Sequence, residues 1–458
     1  MGVSGMNSFL DSNRKGEPRR PEERRVYARI TSIEPEPESE MEGPRVVLFE
    51  AIDADQFDGI VSSAGQNDSV SFFGEFAQKG RISALEANEE KGFDFASLQG
   101  ADEEDWIEIR LEEPSGGESP ILQYTNLFSE PVARSMSIMK HISKRDGELA
   151  LELDRMMGTD AFSDADPLDI RRAFSGDTIV GAAAYDVGQG SWQGLLNCWG
   201  IPIAYFDLGG GVLGHVHSFP PEMNKACFVR KPPVVLSHWD WDHWSSAQRF
   251  IDALAMTWIV PRQPLGPVQR VFLYNLEQHG KVLFWPSGLA SLRSGQVEIR
   301  KCIGRGMNHS GLALSVSSPS CWQNRDILFT GDCDYRHIPG WDNTYRHVLV
   351  PHHGAKMPSS AVPSPECRVR STATISRGHE NRWHHPNALT ISRHDAAGWT
   401  KPKDLGRDPR INDNGDHHLL FWDDDLTILA KLSDGWPNSG LGCCEHPSCV
   451  CDMEHFTT

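Results

Sequence analysis

The sequence has no run of about eighteen apolar residues anywhere in its 458 positions, so no segment reads as a membrane-spanning helix. Its first residues, MGVSGMNSFLDSNRKGEPRRPEERR, lack the apolar stretch of a secretory signal. MGVSGM also lacks the Ser or Thr that a myristoylation motif requires. The expectation is a soluble cytoplasmic chain with no membrane partner. Basic residues are scarce: 44 Lys and Arg stand against 63 Asp and Glu, a net charge of −19 at pH 7. The deficit is concentrated in residues 1–150, with about 30 acidic against 16 basic side chains. This argues against avid, non-specific binding of nucleic acid. It does not exclude a nuclease, because bound metal ions bring their own positive charge. With no secretory signal, the ten cysteines are expected as reduced thiols rather than a disulfide framework.

The texture of the chain changes along its length, and no internal repeat is found. Residues 1–24 are polar with mixed charge and read as disordered. Residues 25–130 hold short β-branched and aromatic runs between turn residues, including VYARITSIEP, PRVVLFEAID and DWIEIRLEEP, and read as an acidic β-rich domain. Residues 131–175 have helical composition and few breakers, and are expected as a helical connector. From 176 to 432 the pattern is α/β: TIVGAAAYDVG, IPIAYFDLGGG, PPVVLSHWDWDH, RDILFTGDCDY and HVLVPHHGAK each read as a strand running into a polar loop. Loops at strand ends are where a rigid sheet can hold catalytic groups. Residues 433–458 form a Cys/His-rich tail.

One loop concentrates the chemistry. His238-Trp239-Asp240-Trp241-Asp242-His243 places four metal-capable side chains in six residues. In an extended segment i and i+2 share a face, so His238, Asp240 and Asp242 are expected to point one way, with His243 turning inward. Such a set can hold two neighbouring divalent ions. Imidazole suits zinc, while carboxylate suits manganese or magnesium, so the metal stays open among Zn, Mn and Mg. Other strand-end loops add Asp186, Asp207, Asp332, His352, His353, His384, His385 and His309. The three tryptophans of the loop either pack it or offer a stacking face for an unpaired base. In the tail, Cys443, Cys444, Cys449 and Cys451 lie close enough in sequence for a structural zinc site. A cluster of reduced thiols is the alternative.

The order DVGQG (186–190), Asp207-x-Gly-Gly, SHWDWDH (237–243), NHSGLAL (308–314), LFTGD (328–332), VPHHGA (350–355) and SRGHENRWHHP (376–386) resembles the metallo-β-lactamase fold. The likeness is to the soluble hydrolase domain of ComEC-type DNA-internalisation proteins. The resemblance implies an α/β fold, a metallo-β-lactamase αββα sandwich, preceded here by the β-rich domain and helical connector. It implies His238 and Asp240 on one metal, Asp242, His243 and His385 on the second, and Asp332 between them. His353 would face the substrate phosphate or complete the shell, and Asp186 and Asp207 would brace the ligand loops. Asp242, Asp332 and His353 are thus the catalytic candidates. His309 departs from the pattern and is a further ligand candidate. His384 competes with His385, which is preferred because it directly precedes the proline.

The resulting expectation is a metal-dependent hydrolase. The leading reading is a two-metal nuclease or phosphodiesterase acting on DNA or RNA, with Lys356, Arg377 and Arg382 as backbone-binding candidates beside the motif loops. Its acidic N-terminal domain would engage a protein partner, as in a controlled effector of phage defence. The alternative is a small-molecule metallo-hydrolase acting on a thioester, a lactone or a cyclic nucleotide.

Overall fold

The computed structural model describes residues 7, 9–10, 23–34, 45–64, 74, 76–78, 80–114, 121–142, 147–174, 176–221, 223, 225–318, 326–368, 370–379, 381–400, 402–406 and 418–421. The Cys/His-rich tail, with Cys443, Cys444, Cys449 and Cys451, lies outside them, as do residues 11–22 of the N-terminal segment. Cys198, Cys302, Cys333 and Cys367 are free thiols. Cys227 is disulfide-bonded, against the expectation of reduced thiols throughout. The chain divides into two compact units: Met1–Phe162 together with Gln263–Gln278, and Ser163–Arg262 together with His279–Thr458.

The first unit is a closed barrel. Its strands are β1 (Arg24–Glu34), β2 (Val46–Asp53), β3 (Ile82–Asn88), β4 (Trp106–Glu112), β5 (Ile121–Tyr124) and β6 (Val132–Ile142), in the order β1-β2-β3-β5-β6-β4. Alternation fills the interior: Val26, Ala28 and Ile30 from β1, Val47, Phe49 and Ala51 from β2, and Ile107, Ile109 and Leu111 from β4 form one buried cluster. The sequence reading placed 132–142 in a helical connector, and here the structure differs. That segment closes the barrel, pairing with β4 over Trp106–Glu112 and with β5 over Ile121–Gln123. Its Met and Ala residues favour helix only weakly, and two open strand edges outweigh them. Met136 and Ile138, spaced by two, pack on the barrel core. Helical structure follows at Glu148–Met157 and Pro167–Ala173.

The helix Pro267–His279, reached after the chain has already built part of the second unit, belongs mostly to the first. Glu50, fully buried on β2, accepts hydrogen bonds from the amides of Val268 (2.7 Å) and Gln269 (3.4 Å). A carboxylate there satisfies amides that the first helical turn leaves unbonded.

The second unit stacks two sheets. The first runs β12 (Lys281–Phe284), β11 (Thr257–Val260), β10 (Val234–Val235), β9 (Pro202–Leu208), β8 (Trp192–Leu196), β7 (Gly181–Ala184) and β21 (His418–Phe421). The second runs β13 (Ser291–Ser294), β14 (Val297–Lys301), β15 (Leu312–Ser317), β16 (Asp326–Phe329), β17 (Thr344–Leu349), β19 (Thr372–Ile375) and β20 (Lys403–Asp404), with β18 (Ser364–Pro365) beside β17. Ala204, Phe206, Val235 and Ile259 of one sheet share a core with Ile299, Leu314, Val316, Ile327 and Phe329 of the other. The alternate residues Ala313 and Leu328 face outward and are covered through Ile391 and Trp399, at the helix Ala388–Ala397. This is a mixed α/β layered sandwich. Strands β9 and β10 are parallel, as are β16, β17 and β19, so the loops that leave their C-terminal ends gather at the same edge of each sheet.

Candidate metal centre

Asp207 anchors the site. It ends β9 in a left-handed backbone conformation (φ 56°) and is fully buried. Its carboxylate accepts the Ser237 amide at 2.7 Å, the Ser237 hydroxyl at 2.8 Å and the His243 Nδ1–H at 2.7 Å. Both ends of the SHWDWDH loop are therefore fixed to one side chain. Gly209 permits the approach. Its amide donates to Ser191 O (2.8 Å), the Ser191 amide donates to Asp242 O (3.0 Å), and a Cβ on Gly209 would overlap that Asp242 carbonyl. Trp239, Trp241 and Trp244 are buried. The Trp239 indole donates to Pro261 O and the Trp244 indole to Trp239 O, so these rings pack the loop.

The loop is extended only as far as Asp240. Trp241–His243 is a tight 3-10 turn, and it separates side chains that were expected to share a face. Asp240 Oδ2 stays 3.3 Å from His238 Nε2. Asp242 turns to His353, whose Nε2 lies 3.1 Å from its Oδ2. Among the described residues, two groups bring three donor atoms within 4.8 Å of one another: His238, His243 and Asp332, and Asp242, His243 and His353. His243 belongs to both. Asp332, from the loop after β16, lies 3.1 Å from His243 Nε2 and 3.7 Å from the Nε2 atoms of His238, His352 and His353. His352 and His353 both have positive φ (48° and 52°), a costly conformation for a side-chain-bearing residue that brings two consecutive imidazoles towards one carboxylate.

The donor set fits divalent cations. The Nε2 atoms of His238, His243 and His353 are buried and face carboxylate oxygens at 3.3, 3.1 and 3.1 Å, without hydrogen-bond geometry to any group among the described residues. A satisfied core would not leave them so. Each ring is oriented from behind: Ser237 Oγ lies 2.9 Å from His238 Nδ1, Asp207 takes the His243 Nδ1–H, and Ser376 O lies 2.7 Å from His353 Nδ1. The charges point the same way. Burial opposes charge on Asp332 and Asp242, yet the neighbouring histidines, His243 first, hold both carboxyls below their usual range. Burial likewise opposes a proton on His243 and His353, yet Asp332, with Asp207 and Asp242 for one ring and Asp242 for the other, holds both above their usual value. Without an ion, protons supply the positive charge that the cluster demands.

The remaining expected residues are distributed as follows. His385 is buried against the cluster, its ring 5.7 Å from that of His352. Burial, with His352 and His353, pushes its pKa well down. Asn381 holds it by accepting the His385 amide (2.9 Å) and donating to its carbonyl (2.8 Å). His384 is exposed with φ 54°. His309 lies outside both three-donor groups: its Nδ1 accepts the Asp334 amide at 3.3 Å and its ring stands beside His337. Burial, then His352 and His337, lowers its pKa to about 4. Asp186 accepts the Gly188 amide within its own turn. Arg377 is paired with Asp404 at 2.7 Å, whereas Lys356 is half-buried beside the HHG turn. Sequence reasoning gave no role to Ser237, whose hydroxyl lies 2.9 and 3.2 Å from the Nδ1 atoms of His238 and His243, or to His215. A Ser preceding the metal-binding loop was the only available signal for the first.

One family model covers the residues of this cluster. Residues 234–379 match the family model of the metallo-β-lactamase superfamily, a span that includes His238 to His243, Asp332 and His353. No curated protein matches the chain. Among solved structures, similarity is found to Zn2+-bound PqqB from Methylobacterium extorquens (10% identity, 54% of this chain and 94% of that one, TM-score 0.29). A metallo-β-lactamase superfamily protein from the archaeon Sulfolobus tokodaii is also similar (11% identity, 48% and 75%, TM-score 0.22), as is a B3 metallo-β-lactamase with an active-site glutamic acid (12% identity, 59% and 92%, TM-score 0.21).

Proposed function

We propose that this chain, which carries a metallo-β-lactamase superfamily domain, is a two-metal phosphodiesterase acting on DNA or RNA. The observation that carries the reading is the pair of donor groups joined through His243. A closed structural site uses four protein ligands, whereas His238, His243, Asp332, Asp242 and His353 already offer five converging donors. The narrower likeness of the motif set to ComEC-type domains supports nucleic acid over other esters. His238, Asp240 and Asp332 with His243 would hold one ion, and Asp242, His353 and His385 would complete the second beside Asp332. Divalent ions there would supply Lewis acidity and an acidified water. The chain's own residues do the rest. Asp207 and Ser376 O fix which imidazole nitrogen faces the cluster, and Asp242, held at 3.1 Å by His353, is placed to orient the attacking water and accept its proton. Trp239 and Trp244 close the loop from behind and exclude bulk water from its core.

The acidic first 150 residues fit a protein partner better than a polyanion, in keeping with a cytoplasmic effector whose activity a partner controls. No helix among the described residues is long and apolar enough to cross a membrane. The test is cleavage of labelled single- and double-stranded DNA and RNA by metal-stripped protein, with Mn, Mg or Zn returned singly and Asp242→Ala alongside. Metal-dependent cutting lost in the variant supports the proposal. Full metal loading with no cutting of any nucleic acid overturns it in favour of a small ester, lactone or cyclic nucleotide.

A further inference from the structure

His215 has no part in the two donor groups, yet it sits beside them. It lies on the turn Leu213–Ser218, which follows the DLGGG stretch. Only 7% of it is exposed, and its Nε2 has no hydrogen-bond partner among the described residues. A buried imidazole nitrogen left in this state is uncommon unless a ligand completes it. The turn is firmly held. Ser218 Oγ donates to His215 O (2.7 Å) and accepts the Gln189 amide (2.9 Å), and the Gln189 side chain accepts the Gly378 amide (3.1 Å). The DVGQG, DLGGG and SRGHENRWHHP loops are thereby tied into one wall.

On that wall the His215 ring lies 6.3 Å from the ring of Trp383, and the Arg382 guanidinium lies 4.6 Å from the Trp383 ring centre. Trp383 and Arg382 are both half-buried. After burial, the strongest electrostatic influences on His215 are Arg382, then Asp242, His217 and His353. Trp383 lies two residues before His385, whose ring is 5.7 Å from that of His352, so this wall adjoins the donor groups. One imidazole nitrogen, one guanidinium lying over one face of an indole, and the other face of that indole match a phosphate with the base attached to it. A base inside a duplex presents no free face to an indole, whereas an unpaired one does.

We propose that His215, Arg382 and Trp383 form a subsite for one unpaired nucleotide next to the scissile phosphate, so that the enzyme takes single-stranded nucleic acid. This rests on the phosphodiesterase reading and narrows it. His215 Nε2 and Arg382 bind phosphate oxygens, and Trp383 stacks on the base.

The test is binding, which needs neither metal nor turnover. Anisotropy of labelled octathymidylate, octauridylate and a blunt DNA hairpin is measured against the metal-free full chain at low ionic strength. The expected result is single strands bound about 10-fold tighter than the hairpin. Trp383→Ala and His215→Gln should each cost about 10-fold, and Trp383→Phe should recover most of the loss because it keeps the stack. Octathymidylate against octauridylate tells DNA from RNA. Equal binding of hairpin and single strands, or variants that bind like the wild type, overturns the subsite. Tight, Trp383-dependent binding without cleavage under any metal upholds the subsite and removes the nuclease reading. Cleavage of single strands that is insensitive to both positions upholds the nuclease and removes the subsite.

Discussion

Asp207 shows how much of the donor cluster is decided by a residue outside both of its groups. It accepts the His243 Nδ1–H and the Ser237 amide and hydroxyl, so replacing it by Asn keeps the shape and puts a donor where an acceptor is needed. Asp207→Asn should weaken metal binding about 10- to 100-fold with the fold intact, as read by competition with a chromophoric chelator. Unchanged affinity would show that His243 is oriented by something else. The protonation of the cluster gives a second expectation. In metal-free protein the facing carboxylates, Asp332 first, favour the protonated forms of His243 and His353 against their burial. A cation needs their lone pairs, and the protons must leave. Metal affinity should therefore rise with pH through neutrality. Calorimetric heats of loading should vary with the ionisation enthalpy of the buffer, and heats independent of the buffer would contradict the assignment. The donor-rich loop was legible because His238 to His243 are adjacent in sequence. Ser237 was within reach, but His215 was not: its significance depends on Trp383 and Arg382, which lie far from it in the chain.

Between residue and domain, the loops matter as units. The SHWDWDH loop is seated on the Gly209 backbone, where any Cβ meets the Asp242 carbonyl. Gly209→Ala should displace the loop, with metal affinity falling at least 10-fold and the melting temperature dropping by several degrees. A variant that melts and loads like the wild type would mean that the loop can yield without cost. Strand-then-loop units such as PPVVLSHWDWDH were readable because an apolar run ending in polar residues has few alternatives. The i, i+2 pattern then misdirected Asp242, since the Trp241–His243 turn is set by buried indoles that a local rule does not include. The segment 132–142 misled for a similar reason. Its composition suits a helix, but the unfilled edges of β4 and β5 decide its structure.

At the scale of the whole molecule, the sequence made a β-rich first part and an α/β second part visible, because alternation and strand-loop punctuation extend over long stretches. It did not reveal that Gln263–Gln278 belongs with the first part, since nothing in PVQRVFLYNLEQH specifies the unit it completes. The joint is Glu50. Glu50→Ala should remove the acceptor from the buried Val268 and Gln269 amides and destabilise the barrel by about 2 kcal/mol. The readout is an earlier thermal transition, with metal affinity as in the wild type. A transition at the wild-type temperature would mean that these amides find other partners.

That loan of a helix sets an order of events during synthesis. The barrel's strands are complete by Ile142, but its helix does not emerge until roughly a hundred further residues of the other unit have been made. A ribosome delivering this chain therefore holds an unfinished barrel while it builds part of the second unit, so the barrel cannot finish folding before part of the second unit has been made. An exchange of domains at one junction would leave the barrel without its helix and the recipient with a stray one. Moving either unit into another protein therefore means moving both, because their segments interleave along the chain.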